Sequence, residues 1–455
     1  MPHPIATIVL AAGKGTRMNS DLPKVLHKIA GRSMIGHVLA ALEPLGPERR
    51  VVVISPNQND VAKAVAPATI AVQPEALGTG DAARAAMVAL VGFTGTVLVA
   101  FGGDPMFTTR TLRRLAEARE VDNPPDVVVL GFQTDNPDRY GRLLQDSEGG
   151  LEAIVEASEA HTIDRPVRLY NAGIMAIDGA KLFGFIDALN TDNAKGEYYL
   201  TDLPRIAQER GGYASVVEAP EVETMGVDTR ADLARAEALM QARLRTAAME
   251  AGVTLVAPET VFFSHDTVIG RDSIVHPNVT FGLGVSIGTG VEIKSFCHLE
   301  TASVADAAII GPYARLRPGA EIGIGAHVGN FVEIKAATIG AGAKVNHLSY
   351  IGDTTVGVGA NIGAGTITCN YDGFSKFRTE IGAGAFIGSN TALVAPICIG
   401  DGAIIGAGST MTKSVEADAL AVVRGGAEVV SGGAARFRSK RRKTSLGAEK
   451  NKKRG

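Results

Sequence analysis

The sequence has no tryptophan, and aromatic residues make up only 5% of its 455 positions. With so few aromatic rings, the apolar surfaces of the protein must be largely aliphatic. Cysteine is also scarce, since Cys297, Cys369 and Cys398 are the only three. Three such cysteines form neither a disulfide framework nor a CxxC metal motif, which favours a reducing compartment.

Long apolar runs and a strong charge excess are missing as well. No run approaches the 18 residues of a membrane-spanning helix. The opening Met-Pro-His-Pro has none of the features of a signal peptide. A net charge of −3 gives no general attraction to nucleic acid or membranes. We therefore expect a cytoplasmic protein with no membrane contact, and the chain length predicts two to three domains.

Glycine, in contrast, is abundant at 54 residues, and the excess falls in a repeat between Val268 and Met411. Aliphatic residues recur there every six positions, at Ile269, Val275, Phe281, Ile287, Ile293 and Leu299, then Val304, Ile310, Leu316, Ile322, Val328 and Ile334, then Ile339, Val345 and Ile351, and finally Ile381, Ile387, Leu393, Ile399, Ile405 and Met411. A period of six fits neither a helix nor a simple sheet alternation. It predicts a parallel β-helix of hexapeptide repeats, with three short faces per coil.

The first 230 residues alternate aliphatic runs with amphipathic segments. Predicted strands are 5–10, 51–54, 69–72, 97–101 and 127–132, and predicted helices lie around 33–45, 60–66, 80–90 and 108–119. This alternation predicts an α/β, doubly wound, mostly parallel sheet of the Rossmann-like kind. Ligands should then bind at the carboxyl ends of the strands.

The predicted domain order is a nucleotide-binding domain over 1–229, a linker helix over 230–251, the β-helix over 252–435 and a tail over 436–455. The linker segment is rich in Ala, Leu, Arg and Glu, with one apolar face. The tail carries ten lysines and arginines and almost no apolar residues. We expect it to be solvated and disordered rather than a contact for RNA or membranes.

A glycine-rich turn follows the first predicted strand and contains Gly13 and Gly15, with Arg17 and Lys24 close behind. Such a turn lets backbone N–H groups approach phosphate oxygens, and the two cations suit a pyrophosphate or triphosphate. The whole string, from Leu10 and Ala11 through Arg17 to Pro-Lys24, resembles the signature of nucleotidyltransferases that join an NTP to a sugar 1-phosphate.

Further segments support this resemblance. Gln73 with Gly78 and Thr79 is similar to the uracil-reading segment of enzymes that form UDP-sugars. Gly141, Glu156 and Asn171 match places where such enzymes hold sugar hydroxyls and the N-acetyl group. The resemblance implies that a sugar phosphate attacks the α-phosphorus of UTP. Cations and Mg²⁺ would stabilise the charge that develops.

The predicted metal ligands are Asp104 and Asp228. Relative to the family motif Gly-Asp-x-Pro, Asp104 stands one residue late in Phe101-Gly-Gly-Asp104-Pro. In extended backbone, such a slip would turn the side chain to the opposite face. We expect a retained but weakened metal site, with Gly102 and Gly103 supplying the backbone freedom that re-aims Asp104.

The β-helix contains polar windows that its fold does not require. They hold Arg317, Glu333, Lys335, His347, Tyr350, Asn361, Asn370, Tyr371 and Lys376. Together with the first site, they resemble the family of bifunctional bacterial N-acetylglucosamine-1-phosphate uridylyltransferase/glucosamine-1-phosphate acetyltransferases, over residues 1 to about 430.

The resemblance implies that His347 is the general base for attack of the glucosamine amine on acetyl-CoA, oriented or tuned by Glu333. Arg317, Lys335 and Lys376 would hold the sugar phosphate. Tyr350, Asn361, Asn370 and Tyr371 would contact the sugar, and Ala364, Ser389, Ala407 and Arg424 would line the acetyl-CoA groove. It also implies a left-handed β-helix that forms a homotrimer with acetyltransferase sites between subunits. The product, N-acetylglucosamine 1-phosphate, would be the substrate of the first domain.

Two alternative functions remain open from the sequence. The first is a sugar-nucleotide pyrophosphorylase with a non-catalytic β-helix, which the polar windows around His347 and Asn370 disfavour. The second is a β-helical assembly scaffold with a degenerate nucleotidyl domain, which only the shifted Asp104 supports.

Overall fold

The computed structural model describes residues 3–137, 140–163, 166–423, 425–426 and 429–439. The chain forms two compact units, Met1–Ser286 and Ile287–Gly455. The division at Ser286 lies inside the segment predicted as β-helix, and the domain boundaries inferred from the sequence stay a prediction. Arg424 and most of the basic tail, from residue 440 onward, lie outside the described residues.

The first unit is built around a nine-stranded sheet. Its strands and the small hairpin are β1 (Ile5–Leu10), β2 (Lys28–Ile29), β3 (Arg32–Ser33), β4 (Arg49–Ile54), β5 (Thr69–Val72), β6 (Thr96–Phe101), β7 (Val127–Phe132), β8 (Arg142–Gln145), β9 (Leu151–Val155), β10 (Tyr170–Asp178) and β11 (Ala214–Glu218). Its helices are α1 (Met34–Leu42), α2 (Asn59–Ala64), α3 (Thr79–Ala86), α4 (Thr109–Glu117), α5 (Gly179–Asp187), α6 (Leu203–Glu209) and α7 (Arg230–Glu250).

The strand order is β11-β7-β10-β6-β1-β4-β5, with β8 and β9 attached beside β10. Neighbours in this order are parallel except for β10, which runs antiparallel to β6 and β7, and β8 pairs antiparallel with both β10 and β9. The prediction of a mostly parallel sheet is confirmed. The five predicted strands are all present, although β4 and β6 begin slightly earlier than the hydrophobic runs indicated.

Both faces of this sheet are covered. In β1, Ala6 and Ile8 belong to one buried cluster, whereas Val9 belongs to the cluster on the other face. Successive side chains of a strand point to opposite faces, so continuous aliphatic strands require packing on both sides. The strands are therefore unbroken hydrophobic runs in the sequence. Polar side chains remain accessible only where the strands end, at the edge of the sheet.

Helix α7 begins with a capping box. The Thr229 hydroxyl accepts from the Asp232 backbone N–H, and the Asp232 carboxylate accepts from the Thr229 backbone N–H. Ala236 and Met240 are buried against residues around Ile29 and Met106. The predicted apolar face therefore exists, and it packs along its own unit instead of standing free as a spacer.

The β-helix strands are short and parallel. In the first unit they are Thr254–Leu255, Val268–Ile269, Ile274–Val275 and Thr280–Phe281, and Val285–Ile287 crosses the division. In the second unit, face A contains Glu292–Ile293, Ile309–Ile310, His327–Asn330, Lys344–His347, Asn361–Ile362, Phe386–Ile387, Ile404–Ile405 and Leu420–Ala421. Face B contains His298–Leu299, Arg315–Leu316, Glu333–Lys335, Tyr350–Gly352, Ile367–Cys369, Ala392–Val394 and Thr410–Met411, and face C contains Ala302–Val304, Ala320–Ile322, Ala337–Ile339, Thr354–Val356, Thr379–Ile381 and Ile397–Ile399.

The six-residue series fills the interior of these coils. Every member from Val275 to Met411 is at most 5% exposed, and Ile269 is the only partly exposed member. Successive coils align residue with residue, for example Ile310 with Val328 on face A and Leu316 with Ile334 on face B. Outward side chains one coil apart are therefore direct neighbours, which is how the second site is assembled.

Candidate active sites

A cavity of ≈ 240 Å³ lies at the carboxyl end of β1 in the first unit. It brings together seven residues that the sequence assigned to nucleotide binding: Leu10, Ala11, Gly13, Lys24, Gln73, Gly78 and Thr79. The buried Gln73 amide donates to the Gly78 carbonyl at 3.1 Å and to the Asp81 carboxylate at 2.9 Å. These bonds fix the amide at the edge of the cavity.

The glycine-rich turn needs glycine at Gly15 for two reasons. Its backbone is in the left-handed region, with φ +60, where side chains other than glycine are strained. A Cβ at this position would also lie 2.5 Å from the Cβ of Lys24. The turn and the lysine therefore pack directly on each other, and the loop geometry sets the position of the cation.

Both predicted cations bind Asp228. The Lys24 ammonium lies 3.0 Å from Asp228 Oδ1, and the Arg17 guanidinium lies 3.0 Å from Oδ2. Arg17 is largely exposed while Lys24 and Asp228 are mostly covered. The Asp228 carboxylate thus holds Arg17 and Lys24 near each other, beside the cavity and the Gly-rich turn.

Asp104 faces this same cluster. Burial raises its pKa to about 7, the neighbouring Lys24 opposes the rise, and the Asp228 carboxylate adds to it. Its Oδ1 lies 3.0 Å from the place of a Cβ on Gly226, just before Asp228 in the chain. The Asp104 side chain is therefore directed toward Lys24 and Asp228.

The reason for this aim differs from the expected one. The Asp104 backbone N–H donates to the Phe101 carbonyl at 3.2 Å, so the chain turns as soon as β6 ends and a slip of strand register does not apply. Neither Gly102 nor Gly103 adopts a left-handed φ, which corrects the prediction that they re-aim Asp104 through special backbone angles. A Cβ on Gly103 would lie 2.9 Å from Lys24 Nζ, so this glycine provides room for the lysine.

The residues predicted to hold the sugar lie around β10. Its pairing with β7 shifts register between Asn171 and Met175, and a bulge of this kind re-aims side chains. The Asn171 backbone N–H donates to the Gly141 carbonyl at 2.8 Å. A Cβ on Gly173 would lie 3.7 Å from Asp104 Oδ2, so the bulge borders the carboxylate cluster.

Glu156 lies at the same end and accepts from the Thr201 hydroxyl at 2.9 Å. The hydroxyl of Tyr199 is buried and has no hydrogen-bond partner among the described residues. Burial raises the pKa of Tyr199, and the carboxylates of Glu156, Glu159, Glu197 and Asp202 raise it further. Tyr199 and the cavity-lining Glu197 were not among the predicted site residues.

In the second unit, His347 lies exposed at the corner between faces A and B. Its Nδ1 is 2.7 Å from Asn330 Oδ1, because the two residues occupy the same register position on adjacent coils. Asn330, which was not among the predicted site residues, is thus the hydrogen-bond partner of His347, and the orienting or tuning role expected of Glu333 stays a prediction. Glu333 instead stacks below Tyr350 and accepts from Arg317 Nη1 at 2.8 Å.

Face B carries a cationic cluster. Its predicted members are Arg317, Lys335 and Lys376, with Tyr350 beside them. The Lys335 ammonium next to Lys376 lowers the pKa of Lys376. Arg317 Nε is buried and has no partner among the described residues. Two adjacent ammonium groups form a local concentration of positive charge, which suits an anion.

The predicted acetyl-CoA residues form a column at the corner that holds His347. The Gly365 N–H donates to the His347 carbonyl at 3.2 Å, the Asn390 N–H to the Ala364 carbonyl at 2.7 Å, and the Gly408 N–H to the Ser389 carbonyl at 2.8 Å. His347, Ala364, Ser389 and Ala407 therefore lie on consecutive coils. At strand spacing, ~4.8 Å per coil, the column extends about 14 Å.

Of the two other predicted sugar contacts, Asn361 and Tyr371, the second forms an isolated β-bridge with Lys376 of the cationic cluster. Asn361 is on face A, whereas Tyr350 and Glu333 are on face B. Tyr371 is 59% exposed, and its hydroxyl donates to the Gly373 carbonyl at 2.6 Å.

Comparison with known proteins defines the class. Residues 7–173 match the model of the MobA-like NTP transferase domain, and residues 378–413 match the bacterial transferase hexapeptide model of six repeats. A nucleotidyltransferase domain is thus followed by a hexapeptide-repeat transferase domain, which confirms the predicted fold class and is consistent with a left-handed β-helix.

Curated relatives match almost the whole chain. Bifunctional protein GlmU of Paramagnetospirillum magneticum is 54% identical over 435 residues, covering 96% of this chain and 97% of the relative. The Rhodospirillum rubrum protein of the same name is 58% identical over 438 residues, covering 96% and 98%. The Sphingopyxis alaskensis protein is 48% identical over 451 residues, covering 99% and 100%. The chain belongs to the family of bifunctional GlmU proteins.

Within the described parts of the chain, no helix is both long and apolar enough to span a membrane.

Proposed function

We propose that this protein acetylates glucosamine 1-phosphate with acetyl-CoA and then joins the product to UMP from UTP, giving UDP-N-acetylglucosamine and pyrophosphate. One observation carries the proposal. A single chain holds a cavity lined by the predicted nucleotide-binding residues, with two carboxylates and two cations nearby, and separately a histidine hydrogen-bonded through Nδ1 and a cluster of cations on face B. The bifunctional family to which the chain belongs supports both activities.

In acetyl transfer, His347 acts as the general base. When its Nδ1–H donates to Asn330 Oδ1, the neutral imidazole has its basic lone pair on the exposed Nε2. Nε2 accepts a proton from the substrate amine as the nitrogen attacks the thioester carbonyl. The tetrahedral intermediate then collapses, the C–S bond breaks and CoA leaves as the thiol.

The cationic cluster on face B supports binding of the sugar phosphate. The repulsion between Lys335 and Lys376 is relieved when a phosphate lies between them, and Arg317 belongs to the same cluster. Glu333 keeps the Arg317 side chain in place through the 2.8 Å hydrogen bond. Tyr350 borders the same space and would contact the sugar ring.

The column of Ala364, Ser389 and Ala407 supports binding of acetyl-CoA along the corner. The small side chains leave the backbone accessible to an extended ligand, and the column ends at His347, where the thioester must lie. Arg424, the fourth predicted residue of this groove, stays a prediction because it lies outside the described residues.

A homotrimer with shared acetyltransferase sites is part of the proposal. Phe296, Tyr313 and Phe331 form a stacked ladder with ring centroids 4.8 and 5.1 Å apart, each about half exposed, with φ in the left-handed region. This strained apolar ladder occupies the corner that continues to His347, and a second copy is the partner that would cover it. A second copy would also supply Asn361, which face B of one chain lacks.

Light scattering of the full-length chain should report three copies. Phe331→Ser should shift the population toward the monomer and reduce acetyl transfer while uridylyl transfer persists. The exposed Val88 of the first unit offers a control, Val88→Ser, that changes neither. A wild-type monomer at micromolar concentration would refute the shared-site model.

In uridylyl transfer, Lys24 and Arg17 hold the phosphates of UTP, and Gln73, Gly78 and Thr79 surround the base. The phosphate of N-acetylglucosamine 1-phosphate attacks the α-phosphorus, and pyrophosphate leaves. Lys24 and Arg17 stabilise the negative charge that develops on the leaving group. Glu156 and Asn171 orient the sugar. In the proposed order, acetyl transfer precedes uridylyl transfer.

Asp104 and Asp228 fit a hard divalent cation. Mg²⁺ commonly binds one or two carboxylates together with substrate phosphates, so a cluster of three acidic residues is not required. This agrees with the described chain, in which no group of three or more His, Cys, Asp or Glu could hold a metal. When bound, Mg²⁺ would neutralise phosphate charge as the two anions approach.

The test is one coupled assay with the full-length protein, acetyl-CoA, glucosamine 1-phosphate, UTP and Mg²⁺, read by mass spectrometry. We expect UDP-N-acetylglucosamine, CoA and pyrophosphate, with N-acetylglucosamine 1-phosphate accumulating when UTP is omitted. Uridylyl transfer without acetyl transfer would favour a pyrophosphorylase with a non-catalytic β-helix. No turnover of either kind would favour a scaffold. The three free cysteines support our further proposal of a cytoplasmic location.

A further inference from the structure

One arginine of the first unit joins parts of the nucleotide site that are far apart in the sequence. Arg230 Nε donates to the Met18 carbonyl at 3.1 Å, and Arg230 Nη1 lies 3.3 Å from His27 Nδ1. We infer that Arg230 and His27 are positioning residues for uridylyl transfer, which hold the segment 17–24 against Asp228. This inference rests on the proposed uridylyltransferase function.

The segment 17–24, here called the cationic segment, begins with Arg17 and ends with Lys24. Both side chains form ion pairs with the Asp228 carboxylate, each with an N–O distance of 3.0 Å. Asp228 precedes Arg230 by two residues, and Arg230 is the first residue of helix α7. The contacts of Arg230 therefore tie the cationic segment to the same turn of the chain that carries the carboxylate.

Arg230 is connected to both ends of the cationic segment. Met18 is fully buried and directly follows Arg17, so the hydrogen bond to its carbonyl restrains the point from which the Arg17 side chain starts. The His27 backbone N–H donates to the Lys24 carbonyl at 3.2 Å, so the backbones of these two residues move together. One planar guanidinium thus closes the chain between Met18 and His27.

The His27 ring is in the state that this contact requires. His27 is only 6% exposed, burial lowers its pKa and the positive charge of Arg230 lowers the pKa further, against an opposing effect of the Leu22 carbonyl. A neutral imidazole has one accepting nitrogen, and a guanidinium group can only donate. His27 Nδ1 is therefore the acceptor and Arg230 Nη1–H the donor.

The position of Arg230 in helix α7 is not explained by the helix itself. A positive charge in the first turn opposes the helix dipole, so the charge of Arg230 does not stabilise α7. The N-terminus of the helix is already satisfied by the capping box of Thr229 and Asp232. The contacts with Met18 and His27 are what the arginine provides at this position.

Loss of these contacts should weaken the binding of UTP more than it slows the chemical step. In the proposed reaction, Arg17 and Lys24 bind the UTP phosphates both before and during the transfer. Misplacement of these cations therefore removes binding energy from both states, which raises KM and leaves kcat nearly unchanged. The KM for N-acetylglucosamine 1-phosphate should also change little, whereas a general structural defect would not select one substrate.

The first test is Arg230→Lys in the full-length protein, because lysine keeps the charge but lacks the planar fork that reaches two acceptors. Calorimetry with UTP and Mg²⁺ in the absence of sugar phosphate measures the Kd, and pyrophosphate release measures KM and kcat. We expect the Kd and KM for UTP to rise about tenfold, with kcat and the KM for N-acetylglucosamine 1-phosphate within about twofold. Unchanged UTP values would overturn the inference.

Arg245→Lys is the matched control. Arg245 belongs to the same helix and also donates from Nε to a backbone carbonyl, that of Val261 at 2.9 Å, at a distance along the helix from the cationic segment. It should leave the Kd and KM for UTP unchanged. An equal rise in both variants would overturn the inference, because any loosening of α7 would then suffice.

Two substitutions of His27 give a second test, which is decisive even if Arg230→Lys does not fold. Asparagine places an oxygen near the position of Nδ1 and accepts from Arg230, whereas leucine fills the buried space better but accepts no hydrogen bond. We expect His27→Asn to keep the KM for UTP within about threefold and His27→Leu to raise it about tenfold. The opposite order would mark a packing role and overturn the inference.

The wild-type protein separates this inference from the proposed function. A wild type that neither binds UTP nor releases pyrophosphate would refute uridylyl transfer itself. An active wild type whose affinity for UTP does not depend on Arg230 or on the hydrogen-bond acceptor at His27 would refute only the positioning role.

Discussion

In the unit Met1–Ser286 the candidate site draws on distant parts of the chain, whereas in the β-helix it draws on successive coils. Lys24, Asp104 and Asp228 meet because their loops follow different elements at one edge of a sheet. Arg317, Glu333 and Tyr350 meet because adjacent coils align residue with residue. The first arrangement depends on tertiary packing, and the second follows from the repeat.

The two sites also differ in how their charges are satisfied. Asp228 already accepts from both Arg17 and Lys24, so UTP phosphates have to compete with an internal carboxylate for these cations. Lys335 and Lys376 face each other instead, and Arg317 Nε has no partner in the described structure. The cations of the first site are thus paired with an internal carboxylate, whereas two cations of the second site adjoin each other.

The sharpest test of this separation is His347→Ala, with the largest expected effect. Loss of the general base should lower acetyl transfer by roughly 10²–10⁴-fold, while uridylyl transfer stays near the wild-type rate. CoA release and pyrophosphate release measure the two activities in one preparation. His298→Ala is the control, because His298 is exposed on face B. A parallel fall of both activities in a folded variant would contradict two independent sites.

Asp104→Ala should give the reverse pattern. Removing one of two carboxylates that face the same point should cost several kcal/mol of charge stabilisation, or ~10²-fold or more in uridylyl transfer, and spare acetyl transfer. Pyrophosphate release across a Mg²⁺ titration is the measurement. Asp60→Ala, an exposed acidic residue at the start of α2, is the control. Full activity of Asp104→Ala would place the metal elsewhere.

Mixing the two variants sharpens the comparison. His347→Ala supplies an intact uridylyl site and Asp104→Ala an intact acetyl site, so together they should restore synthesis of UDP-N-acetylglucosamine from glucosamine 1-phosphate. The diffusing intermediate is N-acetylglucosamine 1-phosphate. Failure of the mixture, when each variant retains its single activity, would show that the intermediate does not leave the protein.

Sequence reasoning succeeded where a local sequence pattern determines the position of a residue in the fold. The six-residue series predicted the interior of the β-helix, from Val275 to Met411, because each coil repeats the same inward positions. It also located the Gly-rich turn and Lys24 after β1, since a strand followed by glycines and cations has a recognisable pattern. Asn330 could have been found the same way, as it precedes His347 by one coil.

Other features depend on packing that a sequence does not display. The antiparallel strand β10 and its bulge at Asn171 reflect pairing with two separate strands. Asp104 reaches the cluster because of a turn after Phe101, whereas a motif comparison assumes continued extended backbone. The ion pairs of Asp228 with Arg17 and Lys24 likewise join residues that are far apart in the sequence.

A smaller effect is expected for Gly15→Ala, which tests how the turn positions Lys24. A Cβ there would lie 2.5 Å from Lys24 Cβ, so the lysine has to move and the KM for UTP should rise about tenfold. Gly46→Ala is a matched control, because Gly46 has φ +64 and open space around it. Both substitutions share the cost of a left-handed alanine, roughly 1–2 kcal/mol of stability. Equal KM values in the two variants would mean that crowding of Lys24 is unimportant.

The smallest expected effect is at Asp232, which links helix α7 to the carboxylate cluster. Its Oδ2 accepts from the Thr229 N–H at 3.0 Å and also lies 3.3 Å from the Asp228 backbone N. Asp232→Ala should lower stability by about 1 kcal/mol through loss of the capping box. It should also loosen Asp228 and raise the Mg²⁺ concentration for half-maximal uridylyl transfer about two- to threefold.

Thr108→Ala separates these two consequences. Thr108 caps α4 by accepting from the Thr111 N–H at 3.2 Å, and its hydroxyl also donates to Glu223 at 2.9 Å, but its contacts among the described residues do not include Asp228. Thermal unfolding should detect a comparable loss of stability in both variants, and the Mg²⁺ requirement should change only in Asp232→Ala. If both variants need the same increase in Mg²⁺ concentration, the cause is the general loss of stability of the first unit and not the loss of the cap beside Asp228. An unchanged requirement in both would show that Asp228 is held by Arg17 and Lys24 alone.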